Sequence, residues 1–475
     1  MKGRPLIKLS IPFLFLAFIA QMQVQTGCAV IVPPQGGPKD TLAPVLVSAN
    51  PPDSTLNFHG NRITLTFNEF VDINDPPNNF IFTPTFQNNP VVSNKLKTVT
   101  IRIKDSLKPN TTYTFNFGNA LRDVNEGNVY KNFTYIFSTG SHIDTIQYSG
   151  RVLLAQTGDV DSTLIVVLHR NRIDSAVAKE RPEYYTRLNK DGSFRFRNLP
   201  PRDTFAIYAI GDAGFSRRYT SKTQLFAFSD TPIITGQSAP ARLFAYREMP
   251  KVTPGTTSTT SNTSTGKAAP NEKARLRFTT NINNNEQDLL NDLILTFPVP
   301  LKSFDSSRIS FSTDSSYQPA RYSVTMDTTK KELRFKSVWK EATLYHLVLN
   351  KDFAQDTNGR QLLKPDTLSF TTRKLTDYGT LRLRIRNLDT SQHPVLLFIQ
   401  NDQTVFSAPI KSGVFSSSMF LPGEYELRIL YDKNGNGKWD PGQFYGKKKQ
   451  PELVLPIKDK ITVKAAWDND FERSL

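Results

Sequence analysis

The residues best suited to chemistry lie near the C-terminus. Asp432, Asn434, Asn436, the Lys438 carbonyl and Asp440 put oxygen atoms at loop positions 1, 3, 5, 7 and 9, with Gly437 at position 6. Calcium takes six to eight oxygen ligands, and this spacing is that of an EF-hand-type loop. Position 12 is Gln443 where such loops carry a bidentate glutamate, and only two carboxylates remain. A calcium ion held here would fall in the weak regime of extracellular modules, about 10⁻⁴ to 10⁻³ M. The other reading is a plain solvated turn, because Asn434-Gly435 and Asn436-Gly437 both favour positive φ. The corresponding stretch earlier in the chain, Asp212-Ala213-Gly214-Phe215, lacks such ligands, so the fold does not require them. Calcium is the one cofactor that these residues raise. Asp123 to Asn128 and Asp356 to Gly359 are also oxygen-rich and read as turns capped by Asx hydrogen bonds.

A catalytic set is not recognisable. His59, His142, His169, His346 and His393 stand in separate segments, without metal-ligand spacing, and no His-Glu-x-x-His, Gly-x-Ser-x-Gly or P-loop occurs. The single cysteine, Cys28, excludes an intramolecular disulfide framework and a multi-thiolate zinc site. Basic residues are in excess, 59 Lys plus Arg against 43 Asp plus Glu. Arg382, Arg384 and Arg386 alternate with apolar residues, so one strand presents three arginines on its outer face. Arg195 and Arg197, and Arg275 and Arg277, repeat the pattern, and Lys447 to Lys449 add a cluster. Such stripes suit anionic headgroups or acidic glycans, and equally keep a many-stranded protein soluble with its edges unpaired.

The elements that must position these residues are strands. From residue 41 onward the dominant period is two: Ile63, Leu65 and Phe67 alternate with polar neighbours, as do Val99, Ile101 and Ile103, and Tyr113, Phe115 and Phe117. Pro51-Pro52-Asp53, Asp75-Pro76-Pro77 and Lys108-Pro109-Asn110 punctuate them, and no long helical stripe appears. The expected class is all-β. The chain also repeats itself. Leu65-Thr66-Phe67, Tyr113, Asp123, Gly127 and Phe137-Ser138-Thr139 recur as Leu295-Thr296-Phe297, Tyr345, Asp356, Gly359 and Phe370-Thr371-Thr372, at offsets of 230 to 233 residues. Gly192, Phe194, Leu199-Pro200 and Phe205 recur as Gly413, Phe415, Leu421-Pro422 and Tyr425, at offsets of 220 to 222. The 475 residues therefore divide as A (41–140), B (141–248), A′ (274–374) and B′ (375–475), tandem β-sandwich modules in an A-B-A′-B′ order. Residues 249–273, rich in Thr and Ser, are too polar to pack and read as a linker.

At its landmarks A resembles the bacterial Ig-like domain of surface-layer and envelope proteins. Leu107-x-Pro109-Asn110-Thr111-x-Tyr113, Asp123 with Gly127-Asn128, and Phe137-x-Thr139 carry the resemblance. A′ keeps Asp356 to Gly359 but has Lys340 to Tyr345 without the Pro-Asn. B and B′, with Asp191-Gly192-Ser193-Phe194 and Leu199-Pro200, resemble the transthyretin-like or carboxypeptidase-regulatory-like sandwich. At the N-terminus, Lys2, Arg4 and Lys8 precede an apolar run from Ile11 to Ala20, about half the length a membrane-spanning helix needs. Gln25-Thr26-Gly27-Cys28 then resembles a lipoprotein lipobox, with Gln25 where a large aliphatic residue is usual. The resemblance implies a signal peptide at 1–27, acylation of Cys28 and a lipidated tether at 28–40. No acidic cluster succeeds Cys28, which by the same resemblance implies a periplasm-facing position on the outer membrane.

The expected function is that of a non-catalytic, membrane-anchored envelope lipoprotein that binds or scaffolds an envelope protein or glycan, with no role for nucleic acid. The alternative is an enzyme or accessory subunit of envelope glycan or peptide processing, with its site in the C-terminal domain around Asp432 to Asp440.

Overall fold

The computed structural model describes residues 39–248 and 275–475, apart from Ala213 and Ser315. The signal peptide, Cys28, most of the tether and the 249–273 linker lie outside the described residues. The chain is almost all β, and it divides into two compact units, one ending at Ile143 and one spanning Asp144–Leu475.

In the first unit, A, an antiparallel sheet runs in the order Leu46–Asn50, Arg62–Phe67, Thr98–Arg102, Val91–Lys95, facing a second sheet of Ile81–Thr83, Thr112–Asn116 and Thr134–Ser138. The inward residues of the alternating strands meet between them: Ile63, Leu65, Val99, Ile101, Phe115 and Phe137 are all buried. With no disulfide to help, aromatic packing supplies much of this core. Phe137 stacks on Tyr113 at 5.2 Å and tilts against Phe58 at 4.5 Å.

The A′ module in the second unit repeats this plan. Thr279–Thr280, Leu293–Thr296, Glu332–Lys336 and Ser323–Met326 form one sheet in the corresponding order. Ile309–Thr313, Leu344–Leu349 and Asp366–Thr372 correspond to the second, which gains a strand at each edge. Register is kept as well: Ile63 pairs Ile101 and Leu65 pairs Val99 in A, Leu293 pairs Phe335 and Leu295 pairs Leu333 in A′. The repeated landmarks do the same work in both copies. The Lys108 N–H donates to Tyr113 Oη at 2.8 Å, and the Lys340 N–H donates to Tyr345 Oη at 3.2 Å. The Thr139 hydroxyl donates to the Lys108 carbonyl at 2.7 Å and accepts from the Thr111 N–H at 3.0 Å. Thr372 makes the matching pair of bonds with Lys340 and Thr343. The Pro-Asn missing from A′ is therefore dispensable, because the tyrosine and threonine side chains hold the corner.

B and B′ match strand for strand. B pairs Ile146–Leu154 antiparallel with Ser193–Leu199 and parallel with Ala241–Ala245; B′ pairs Gly379–Arg386 in the same two ways with Val414–Phe420 and Asp468–Ser474. The larger sheets run Tyr184–Arg187, Leu164–His169, Thr204–Gly211, Phe226–Phe228 in B, and Gln403–Pro409, Pro394–Gln400, Gly423–Tyr431, Leu453–Pro456 in B′. One feature breaks the half-buried pattern of a two-layer sandwich: Leu164–His169 is buried at every residue, and Pro394–Gln400 at all but its last. A strand buried on both sides needs cover on its outer face.

Candidate functional site

Over Tyr208, Phe226 and Phe228 the outer face of B is covered by the loop after Gly423–Tyr431, which contains the oxygen-rich motif. Asp432, 2% exposed, is the hub of that loop. Its Oδ1 accepts the Gly435 N–H at 2.8 Å and the Asn436 N–H at 3.3 Å, and its Oδ2 accepts the Gly437 N–H at 2.6 Å. Gly435 and Gly437 have φ of 72° and 73°, the left-handed conformation that this wrapping requires. The Asn434 and Asn436 side-chain oxygens accept the Asn436 and Lys438 N–H groups at 3.0 and 2.7 Å. Both amide Nδ2 groups donate to Asp440 Oδ2, from Asn436 at 3.0 Å. Glu452, buried at 1% exposure, closes the base by accepting the Lys433 N–H at 2.8 Å and the Asp440 N–H at 3.0 Å. Trp439 Nε1 donates to the Glu452 carbonyl at 2.8 Å. The five residues Asp432, Asn434, Asn436, Lys438 and Asp440 are thus brought together, but as hydrogen-bond partners of one another and of the backbone. No group of three or more His, Cys, Asp or Glu among the described residues is arranged to hold a metal ion. Neither the spacing nor the motif points to Glu452, whose only signal is its place twelve residues beyond Asp440 at the start of the next strand.

Beyond the motif the same loop forms an aromatic clasp. Phe444, 1% exposed, lies on the outer face of the larger B sheet, with ring centroids 4.9 Å from Phe226, 5.1 Å from Phe228 and 5.7 Å from Tyr208. Tyr445 stacks with Tyr219 at 6.0 Å. Polar contacts frame the rings. Glu248, on the last described stretch of B, accepts the Phe444 N–H at 3.1 Å and the Tyr219 hydroxyl at 3.2 Å. Gln450 Nε2 donates to the Phe228 carbonyl at 3.1 Å, Lys448 pairs with Asp174 at 2.8 Å, and the Val454 N–H donates to the Ala155 carbonyl at 2.8 Å. B and B′ are therefore docked on each other although A′ separates them in sequence.

His169 sits on the same outer face, edge-on to Tyr208 at 5.8 Å, and its buried Nε2 has no hydrogen-bond partner among the described residues. Burial pushes its pKa down from 6.5 to about 4, against the opposing charges of Glu180 and Glu183. Because the folded value lies below the unfolded one, the neutral ring stabilises the fold fully above pH 6.5, and that stability drains away as pH falls toward 4. About 3 kcal/mol should be lost across this window by wild type and spared in His169→Phe, as read from denaturant unfolding at pH 7.5, 5.5 and 4. Equal pH dependence in both proteins would refute the assignment.

The other oxygen-rich loops are self-contained turns. Asp123 accepts the N–H groups of Glu126, Gly127 and Asn128 at 2.6, 3.0 and 2.6 Å, and Asp356 accepts those of Asn358 and Arg360 at 2.9 and 2.8 Å. Burial works against the Asp123 charge, but these donors prevail and hold its carboxyl below the usual carboxylate range.

The arginine stripe of B′ faces its own sheet. Asp468–Ser474 runs parallel beside it, with Arg382 opposite Asp470 and Arg384 opposite Glu472. Arg384 pairs with Asp470 at 3.3 Å and Arg386 pairs with Glu472, so two of the three guanidinium groups are already matched by carboxylates. The acidic strand is 86 residues away in sequence, too far for spacing to mark it as their partner. On the corresponding face of B, Arg151, Arg195, Arg197 and Arg242 are exposed, with Arg151 directly opposite Arg242 and its Nε donating to the Asp191 carbonyl at 2.9 Å.

Residues 40–139, nearly the whole of A, match the bacterial Ig-like domain. No curated protein matches the chain. Among solved structures it is similar to the Bacillus anthracis TIE protein, at 9% identity over 93% of this chain and 75% of that one, with a TM-score of 0.17. It is also similar to the S-layer protein rSbsC, at 13% identity over 89% of this chain and 41% of that one, with a TM-score of 0.15. No helix among the described residues is long and apolar enough to cross a membrane.

Proposed function

We propose that the chain is a non-catalytic lipoprotein of the bacterial cell envelope, anchored through acylated Cys28 to the outer membrane and facing the periplasm, where its sandwich modules bind or scaffold an envelope protein or glycan. B and B′ are read as transthyretin-like modules. One observation carries the scaffolding role: the loop that offered the best chemical site has its donors and acceptors engaged with one another and delivers Phe444 into the neighbouring module. A loop built this way fixes domains relative to each other, as a display framework requires. The match of A to the bacterial Ig-like domain supports a binding module of the envelope.

The test combines anchoring and partnership. In fractionated cells the wild type should sediment with the membranes and Cys28→Ser should appear in the soluble fraction, the loss of several acyl chains removing the main source of membrane affinity. Crosslinking in intact envelopes should then trap the wild type with a second envelope component. Membrane retention of Cys28→Ser would overturn the anchor, and an uncrosslinked wild type would overturn the binding role.

A further inference from the structure

The outer face of the first sheet in A carries a charge arrangement that its own duplicate lacks. Arg62 lies directly opposite Arg102, and Arg102 lies opposite Val91 on the edge strand. Together with Asn61, Ile103 and Lys104 these residues line an open concavity of about 570 Å³. Arg62, Arg102 and Lys104 are exposed, and none of the three side chains has a hydrogen-bond or ion-pair partner among the described residues. The nearest acid in sequence, Asp105, is turned to Asn88, whose N–H and side-chain amide it accepts at 2.9 and 2.8 Å. Like charges set directly across a ladder destabilise it. In A′ the residues equivalent to Arg62 and Arg102 by the Leu293–Phe335 register are Asp292 and Lys336, one acid and one base. A has two arginines and a lysine at this place instead.

We infer that this concavity is a binding site for a phosphate-bearing ligand. Two guanidinium groups offer the forked donor geometry that phosphate oxygens accept, and Lys104 adds a third positive charge beside them. The space is far larger than a bare phosphate and within the range of small-ligand pockets, while the exposed Val91 gives it an apolar wall. The ligand therefore has a hydroxylated body beside its phosphate, either free as a sugar phosphate or displayed as a phosphoglycerol lipid headgroup. This assignment goes beyond the proposed anchoring and does not depend on it.

The experiment compares the full-length protein with Arg62→Asp, which recreates in A the opposite-charge pair of A′. Binding is measured by titration calorimetry with inorganic phosphate and with a hexose phosphate, and by co-sedimentation with phosphatidylglycerol against phosphatidylcholine vesicles. The wild type should bind hexose phosphate more tightly than inorganic phosphate, with affinity falling as salt rises, and Arg62→Asp should bind at least tenfold more weakly. Without ligand, Arg62→Asp should melt at or above the wild-type temperature, because a repulsive pair has been replaced by an attractive one. A hexose phosphate response assigns a soluble source; a wild-type preference for phosphatidylglycerol vesicles that Arg62→Asp loses assigns the headgroup. Equal binding by the two proteins, or no binding by the wild type in any arm, overturns the proposal.

Discussion

Replacing Phe444 with alanine should destabilise the B–B′ pair by about 3–5 kcal/mol, the range for truncating a fully buried phenylalanine. The side chain is 1% exposed and its ring meets three aromatic rings of B at 4.9 to 5.7 Å, so truncation leaves a cavity between modules. The effect should show in cooperativity as well as in midpoint. In the wild type, B and B′ share a docked face and should unfold together. In Phe444→Ala the two should separate, so that urea transitions followed by tryptophan fluorescence and by far-ultraviolet circular dichroism no longer coincide. Trp439, half-buried in the same loop, reports the B′ side. Phe444→Leu keeps most of the apolar volume and should stay close to wild type. A single unchanged transition in Phe444→Ala would mean that the docking contributes little.

Asp432→Ala should cost about 2 kcal/mol, because it leaves three backbone N–H groups of an exposed turn without the charged acceptor that the buried Asp432 supplies. Gly435 and Gly437 have nothing within 4 Å of a Cβ, so it is their left-handed backbone, not crowding, that the carboxylate stabilises. Since Trp439 and Phe444 hang from this turn, the loss should reach the clasp and expose the B face, measurable as increased binding of a hydrophobic dye. The same variant decides between the two readings of the motif. With hydrogen bonds as the sole organising force, millimolar calcium leaves the wild-type unfolding midpoint where it was. A calcium-dependent rise in wild type that Asp432→Ala abolishes would make the loop a cation site.

Residues whose role is local are legible in the amino-acid sequence. Tyr113 and Thr139 mark the repeat because each ties down a corner within about thirty residues, and their partners recur with them in A′. Period-two alternation places the inward face of strands such as Arg62–Phe67, Thr98–Arg102 and Gly379–Arg386. Features that depend on distant pairing are not legible in this way. The alternation around Arg382 to Arg386 shows a basic outer face, but register alone reveals that Asp470 and Glu472 lie beside it. The covered outer faces of the two large sheets leave one trace, the unbroken apolar runs Leu164 to Leu168 and Val395 to Ile399, which alternate too little for strands with a wet face. Those runs record a second covered surface without saying what covers it. The like-charged pair at Arg62 and Arg102 is equally hidden, since its two members are forty residues apart and each alone looks like an ordinary outward arginine.

Docking B onto B′ has a mechanical consequence. Glu248, at the end of B, and Phe444 of B′ are in direct contact although the whole of A′ lies between them in the chain. Tension applied between the start of B and the C-terminus should therefore load that contact before the covalent path through A′. Only when the clasp gives way should B and B′ part to the reach of the chain that joins them through A′, which would make the module pair a sacrificial bond.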